Sequence, residues 1–102
     1  MVYNVTENQY QAKLIKKLER RFPGCIVLKN DAGMQQGILD LTVLYGPQWA
    51  SLEVKASADA SIQPNQEYFV RRLDDMSFAA FIYPENETEV LSALQQAFEP
   101  SG

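Results

Sequence analysis

The sequence predicts a single α/β domain: a mixed sheet flanked by helices, with elements in the order α-β-β-β-α-β-α. Three observations carry this. The opening segment has apolar residues at helical spacing, the middle holds three short apolar runs separated by Gly-containing turns, and the last forty residues read helix, strand, helix. A chain of 102 residues fits one domain over 1–102, and its 46% apolar content is ordinary for a globular protein.

Thr6 reads as an N-cap, followed by Tyr10, Leu14, Ile15, Leu18 and Phe22 on one stripe. Pro23-Gly24 stops that helix. Cys25 to Asn30, CIVLKN, is a strand rich in β-branched residues, and Asp31 to Gly37 is a loop. The stretch ILDLTVLYGPQWASLEVK, Ile38 to Lys55, reads as two strands joined through Gly46-Pro47, by a turn of two or four residues. Pro64 marks the start of the next helix, with Tyr68, Phe69, Leu73 and Met76 expected inward. Phe78 to Tyr83 is wholly apolar and is expected at the centre of the sheet. Glu85 to Phe98 forms the last helix, with Val90, Leu91, Leu94 and Phe98 inward, and the EPSG tail frays.

Composition excludes several chemistries. There is no histidine, so histidine-based triads, histidine bases and histidine-ligated zinc are out. The single cysteine, Cys25, allows neither an internal disulfide nor a cysteine zinc cluster, and reads as a small buried residue opening a strand. Catalysis here has to rest on carboxylates, lysine, hydroxyls and a hard metal. The net charge of −4 argues against simple nonspecific binding to nucleic acid. The charge is uneven, however: Lys13, Lys16, Lys17, Arg20, Arg21 and Lys29 lie early, and no Lys or Arg follows Arg72. No run approaches the ~18 apolar residues of a membrane span. The N-terminus lacks the pattern of a secretory signal, so the expected compartment is the cytoplasm, or the host cytoplasm for a viral chain.

Three charges interrupt the two middle strands. Strand side chains alternate, so Asp40 shares a face with Thr42, and Glu53 shares one with Lys55. A suitable register brings Asp40, Glu53 and Lys55 together. On the first helix, Glu7 projects from the apolar stripe, within about 20° of Leu14 and Leu18 at 3.6 residues per turn. A carboxylate there needs a partner. Taken singly, each charge has a plainer reading. Glu-x-Lys occurs on solvated edge strands, and Glu7 suits a helix first turn.

Taken in order, Glu7 on a helix, GILD ending in Asp40, LEVK with Glu53 and Lys55, then IQPNQEYFVRRL, the chain resembles the PD-(D/E)XK nuclease superfamily. Within it, the chain looks like the virus-type replication-repair (VRR-NUC) nucleases and the Holliday junction resolvases. Leu39 stands where the family motif has proline. The resemblance covers Glu7 to about Tyr83. It implies a restriction-endonuclease-like α-β-β-β-α-β core, here with an added C-terminal helix. It implies Glu7, Asp40, Glu53, Lys55 and Gln66 as catalytic residues, with Gln63 as the other candidate for the glutamine. Asp40, Glu53, the Val54 carbonyl and Glu7 would hold Mg²⁺, with Mn²⁺ able to substitute.

Lys13, Lys16, Lys17, Lys29, Asn30, Arg71 and Arg72 are the candidate nucleic-acid contacts, with Arg20 and Arg21 beside them. The implied activity is metal-dependent DNA endonuclease action on branched DNA, by a homodimer, because a four-way junction needs two symmetric cuts. Nuclease action on linear, flap or single-stranded DNA is the alternative, and a non-catalytic binding module on the same fold is another. Neither a membrane nor a nucleotide cofactor is expected. The resemblance also points to a viral (phage) or bacterial source.

Overall fold

The computed structural model describes residues 6–31, 33 and 35–100; Ala32 and Met34 of the predicted loop and the last two tail residues lie outside that set. The elements are α1 (Glu7–Arg21), β1 (Ile26–Lys29), β2 (Leu41–Tyr45), β3 (Gln48–Val54), α2 (Pro64–Met76), β4 (Phe78–Ile82), a 3₁₀ turn at Pro84–Asn86, and α3 (Glu87–Phe98). The four strands form one mixed sheet in the order β1-β2-β3-β4, antiparallel except for the parallel β3–β4 pair. Among the described residues, no helix is long and apolar enough to cross a membrane.

Thr6 caps α1 through a reciprocal pair of bonds with Gln9, at 3.1 and 3.0 Å, which satisfies two otherwise orphaned N–H groups. The β2–β3 hairpin closes with two residues, since Tyr45 pairs with Gln48. Gly46 has φ +58° and Pro47 follows it, the residue placement of a type II′ turn. This short turn sets the register that places Leu41 opposite Leu52, so the next positions, Asp40 and Glu53, also meet.

The sheet has two unlike faces. Leu41, Val43, Ala50, Leu52, Val54 and Ile82 point to a core face and cluster with Leu14, Leu18 and Phe22 of α1 and Val90, Leu91, Leu94 and Phe98 of α3. Phe22, Tyr45 and Phe98 close one end of this core with ring centroids 5.3–5.6 Å apart. Thr42, Leu44, Ser51, Glu53 and Ala79 point the other way, by alternation, to the site face. There α2 packs mainly against β3 and β4.

Two expectations are corrected. β4 is an edge strand, and β3 is the inner strand that it joins. Its apolar pattern follows from helices on both of its faces, α3 on one and α2 on the other, and not from a central place in the sheet. On α2, Phe69 and Leu73 are half-buried, but Tyr68 and Met76 are exposed, and no α2 residue is fully buried. The helix lies over a mixed face, where Ser51 and Glu53 alternate with Trp49 and neighbour Ala79 and Phe81, and its own apolar residues are only half-covered there.

Candidate active site

The site forms where β2 begins, β3 ends and α2 begins. Asp40 sits in a bend just before β2, where a strand residue is expected. The ladder stops there because the Asp40 N–H donates to the Glu53 side chain (Oε1, 3.2 Å) instead of to β3 backbone. In return, the Val54 N–H donates to Asp40 Oδ2 at 2.9 Å. Each carboxylate is therefore fixed by a backbone N–H from the other's strand. Asp40 Oδ1 makes no hydrogen bond among the described residues.

Glu53 and Lys55 follow on the same side of β3, Lys55 one residue past its end, where its N–H donates to the Ile82 carbonyl at 2.9 Å. Both are buried, with only 3% and 8% of their surface exposed. Charged groups are almost never buried so far without partners. Gln66, in the first turn of α2, is the partner of both. Its Nε2 donates to Glu53 Oε2 at 2.7 Å, and its Oε1 accepts from Lys55 Nζ at 2.9 Å. The direct Lys55–Glu53 approach is longer, 3.7 Å. Gln66 Oε1 also accepts from the Gln63 N–H, so this amide both caps α2 and joins the two charges. Gln66, and not Gln63, holds the central place.

Burial pushes the Glu53 carboxyl up to about 7, the neighbouring Asp40 charge adds to the rise, and Lys55 opposes it. Glu7 also adds to the rise, which places its charge within electrostatic reach. Its side chain, however, is exposed at the first position of α1, so it sits at the rim and has no need of a buried partner. Among the described residues, no three His, Cys, Asp or Glu side chains gather closely enough to share an ion. The acidic pair is Asp40 and Glu53. The Val54 side chain belongs to the core, so only its backbone could serve as a ligand.

This pair suits a hard divalent cation on the chemistry of its donors. All its ligand atoms are oxygens, no carboxylate oxygen accepts more than one bond so each keeps a free lone pair, and the two facing carboxylates carry more negative charge than Lys55 offsets.

The basic residues divide. Lys29 is exposed at the end of β1, but its register with Leu41 turns it to the core side of the sheet, opposite the face of Thr42 and Glu53. Arg71 and Arg72 are exposed on α2 one to two turns beyond Gln66, with Arg71 paired to Glu67 at 3.1 Å. The α1 cations start two turns beyond Glu7 and run away from the site. Lys13 and Lys16 are exposed, but Lys17 pairs with Glu87 of α3 at 2.7 Å and Arg21 bonds Gln95 at 2.9 Å. Glu87 also accepts from the buried Tyr10 hydroxyl at 2.9 Å, so part of the predicted basic face clamps two helices together.

Asn30, a predicted nucleic-acid contact, turns its amide inward, where Nδ2 donates to the Leu39 carbonyl at 2.8 Å and to Thr42 Oγ1 at 2.9 Å. Sequence reasoning overlooked Ser51, buried beside Glu53's face, whose Oγ donates to the Leu41 carbonyl at 3.0 Å. The alternation Ser51, Glu53, Lys55 was its only signal. It also overlooked Gly37, with φ +87° and no room for a Cβ against the Phe69 ring.

No family model matches the chain, and neither a curated protein nor a solved structure matches it.

Proposed function

We propose that the chain is a metal-dependent nuclease that hydrolyses phosphodiester bonds. One observation carries this reading: two carboxylates meet where β2 begins and β3 ends, beside a buried lysine, and a helix-capping glutamine bridges the lysine to one of them. A purely structural sheet gains nothing from burying a lysine beside an acidic pair.

Asp40, Glu53 and the Val54 carbonyl would hold Mg²⁺ or Mn²⁺. When bound, such an ion supplies charge neutralisation at the phosphate and lowers the pKa of water. The rest falls to the chain's own groups. Gln66 keeps the Lys55 ammonium off Glu53 and points it along the site. The remaining Lys55 N–H groups then orient the attacking water and oppose negative charge as it builds on the phosphate. Glu7 orients water at the rim. Arg71 and Arg72, exposed on the helix that begins beside Gln66, fit the flanking phosphates. DNA is the proposed substrate, branched DNA first, cut by a homodimer.

The test is cleavage of labelled four-way junction, flap, linear duplex and single-stranded DNA in Mg²⁺ or Mn²⁺. Paired symmetric cuts in the junction are expected, with Asp40→Ala and Lys55→Ala each losing about 10²–10³-fold or more. Cleavage of other substrates with the same dependence keeps the site and changes the substrate. No cleavage of any substrate by the wild type overturns the nuclease reading in favour of a binding module.

A further inference from the structure

We infer that Asn30 is a positioning residue for Asp40, setting the affinity of the acidic pair for its cation, rather than a contact to nucleic acid. This rests on the metal-dependent reading above. Asp40 lies one step beyond the last β2–β3 pair, so β3 backbone bonds its carboxylate, through the Val54 N–H, but not its main chain. Side chains and one main-chain bond hold it instead. The Asn30 N–H donates to the Asp40 carbonyl at 2.8 Å, which extends the β1–β2 ladder by one residue. The Asn30 amide then straddles Asp40. On one side Nδ2 donates to the Leu39 carbonyl, and on the other it donates to Thr42 Oγ1, whose hydroxyl lies 3.3 Å from Asn30 Oδ1.

Ser51 Oγ fixes the next carbonyl, that of Leu41. The main chain from 39 to 42 is therefore gripped at three consecutive carbonyls, and two of the grips come from Asn30. What this leaves undetermined at Asp40 is little more than the carboxylate torsion, and Val54 N–H fixes that.

The chemistry of the partner explains the residue type. The Leu39 carbonyl can only accept, so the group facing it has to be a donor. Thr42 Oγ1 needs an acceptor or a second donated proton. A carboxamide meets both at once, whereas aspartate offers no donor and serine has a single short arm. With both amide protons engaged inward, Asn30 has no donor left for a phosphate. Outer partners that orient metal ligands typically alter affinity about 10–100-fold when removed.

The experiment titrates Mn²⁺ into the full chain at 10 °C, by calorimetry and by the electron paramagnetic resonance of bound Mn²⁺. It compares wild type, Asn30→Ala and Thr42→Val, with far-UV circular dichroism as the check on folding. Asn30→Ala is expected to weaken Mn²⁺ binding by about 10-fold or more and to change the resonance line shape. Thr42→Val, which leaves the Leu39 bond in place, is expected to weaken it less, by about threefold. A merely structural role would lower the melting temperature and leave Mn²⁺ affinity of the folded protein unchanged. Wild-type affinity in a folded Asn30→Ala overturns the inference alone. If Asn30→Ala does not fold, unaltered affinity in Thr42→Val overturns it. Loss of metal-free DNA binding with Mn²⁺ affinity intact assigns Asn30 to the nucleic acid instead. A wild type that takes up no Mn²⁺ overturns the metal reading on which the inference stands.

Discussion

On the core face of the sheet, α1 and α3 seal an apolar layer in which Leu14, Leu18, Leu52 and Leu94 are wholly removed from water. On the site face, α2 packs mainly against two strands of four and has no fully buried residue of its own. Ile26 and Leu28 of β1 are left exposed there, at 57% and 44%. The difference shows how a small domain can bury a lysine and a glutamate. Core-face burial supplies the stability, and the strained electrostatics sit where few apolar contacts depend on them. Changes on the core face should therefore act on folding, and changes on the site face on ion binding and pH response.

The largest effect should come from Leu18→Ala, which opens a cavity between α1 and the sheet. A loss of about 2–5 kcal/mol is expected by denaturant unfolding, with Mn²⁺ affinity of the remaining folded protein unchanged. Equal loss of both would break the division between the faces.

Next comes the joint between the Asp40 loop and α2. A Cβ at Gly37 would lie 2.8 Å from the Phe69 ring, on backbone with φ +87°. Gly37→Ala should cost roughly 2–4 kcal/mol and loosen the site as well. Gly24, at φ +90°, has nothing within 4 Å of the same position, so Gly24→Ala isolates the backbone cost, about 1–2 kcal/mol. Equal melting temperatures for the two variants would mean that the Phe69 contact contributes nothing.

The smallest effect is electrostatic and sharpens the contrast through pH. The Glu53 carboxyl rises from 4.5 to about 7 in the fold. Below 4.5 it is protonated in both states. Between 4.5 and 7 the folded state binds a proton that the unfolded state has released, so Glu53's contribution to stability falls as pH rises through this window and stays low above it. Asp40→Asn keeps an acceptor for the Val54 N–H and removes the like charge. It should raise the metal-free melting temperature at pH 8 by ~4–8 °C, or about 1 kcal/mol, and leave it unchanged at pH 5. The same shift at both pH values would show that Glu53 is not the titrating group.

Much of this arrangement was legible in the sequence. Helical spacing located α1, and Thr6 and Pro64 marked the two helix starts. Strand alternation put Asp40 with Thr42 on one strand and Glu53 with Lys55 on the next, and left it to the register whether the three meet. The two-residue turn then decided the register, which the sequence left open between two and four residues. Strand order was not legible, because an apolar run such as FAAFI records covered faces and not paired edges. The roles of Asn30 and Gly37 were hidden for a different reason. Both depend on what lies across from them, the Leu39 carbonyl and the Phe69 ring, and no local pattern encodes that.

The two-residue turn at Gly46-Pro47 has a consequence in time. A hairpin so closed forms within about 1–10 μs, whereas the parallel β3–β4 pair has to wait for the whole α2 crossover. Asp40 and Glu53 face each other on the hairpin, but Gln66 arrives only with the crossover helix. In refolding from denaturant, the acidic half of the site is thus free to pair before the glutamine that ties down its lysine has docked.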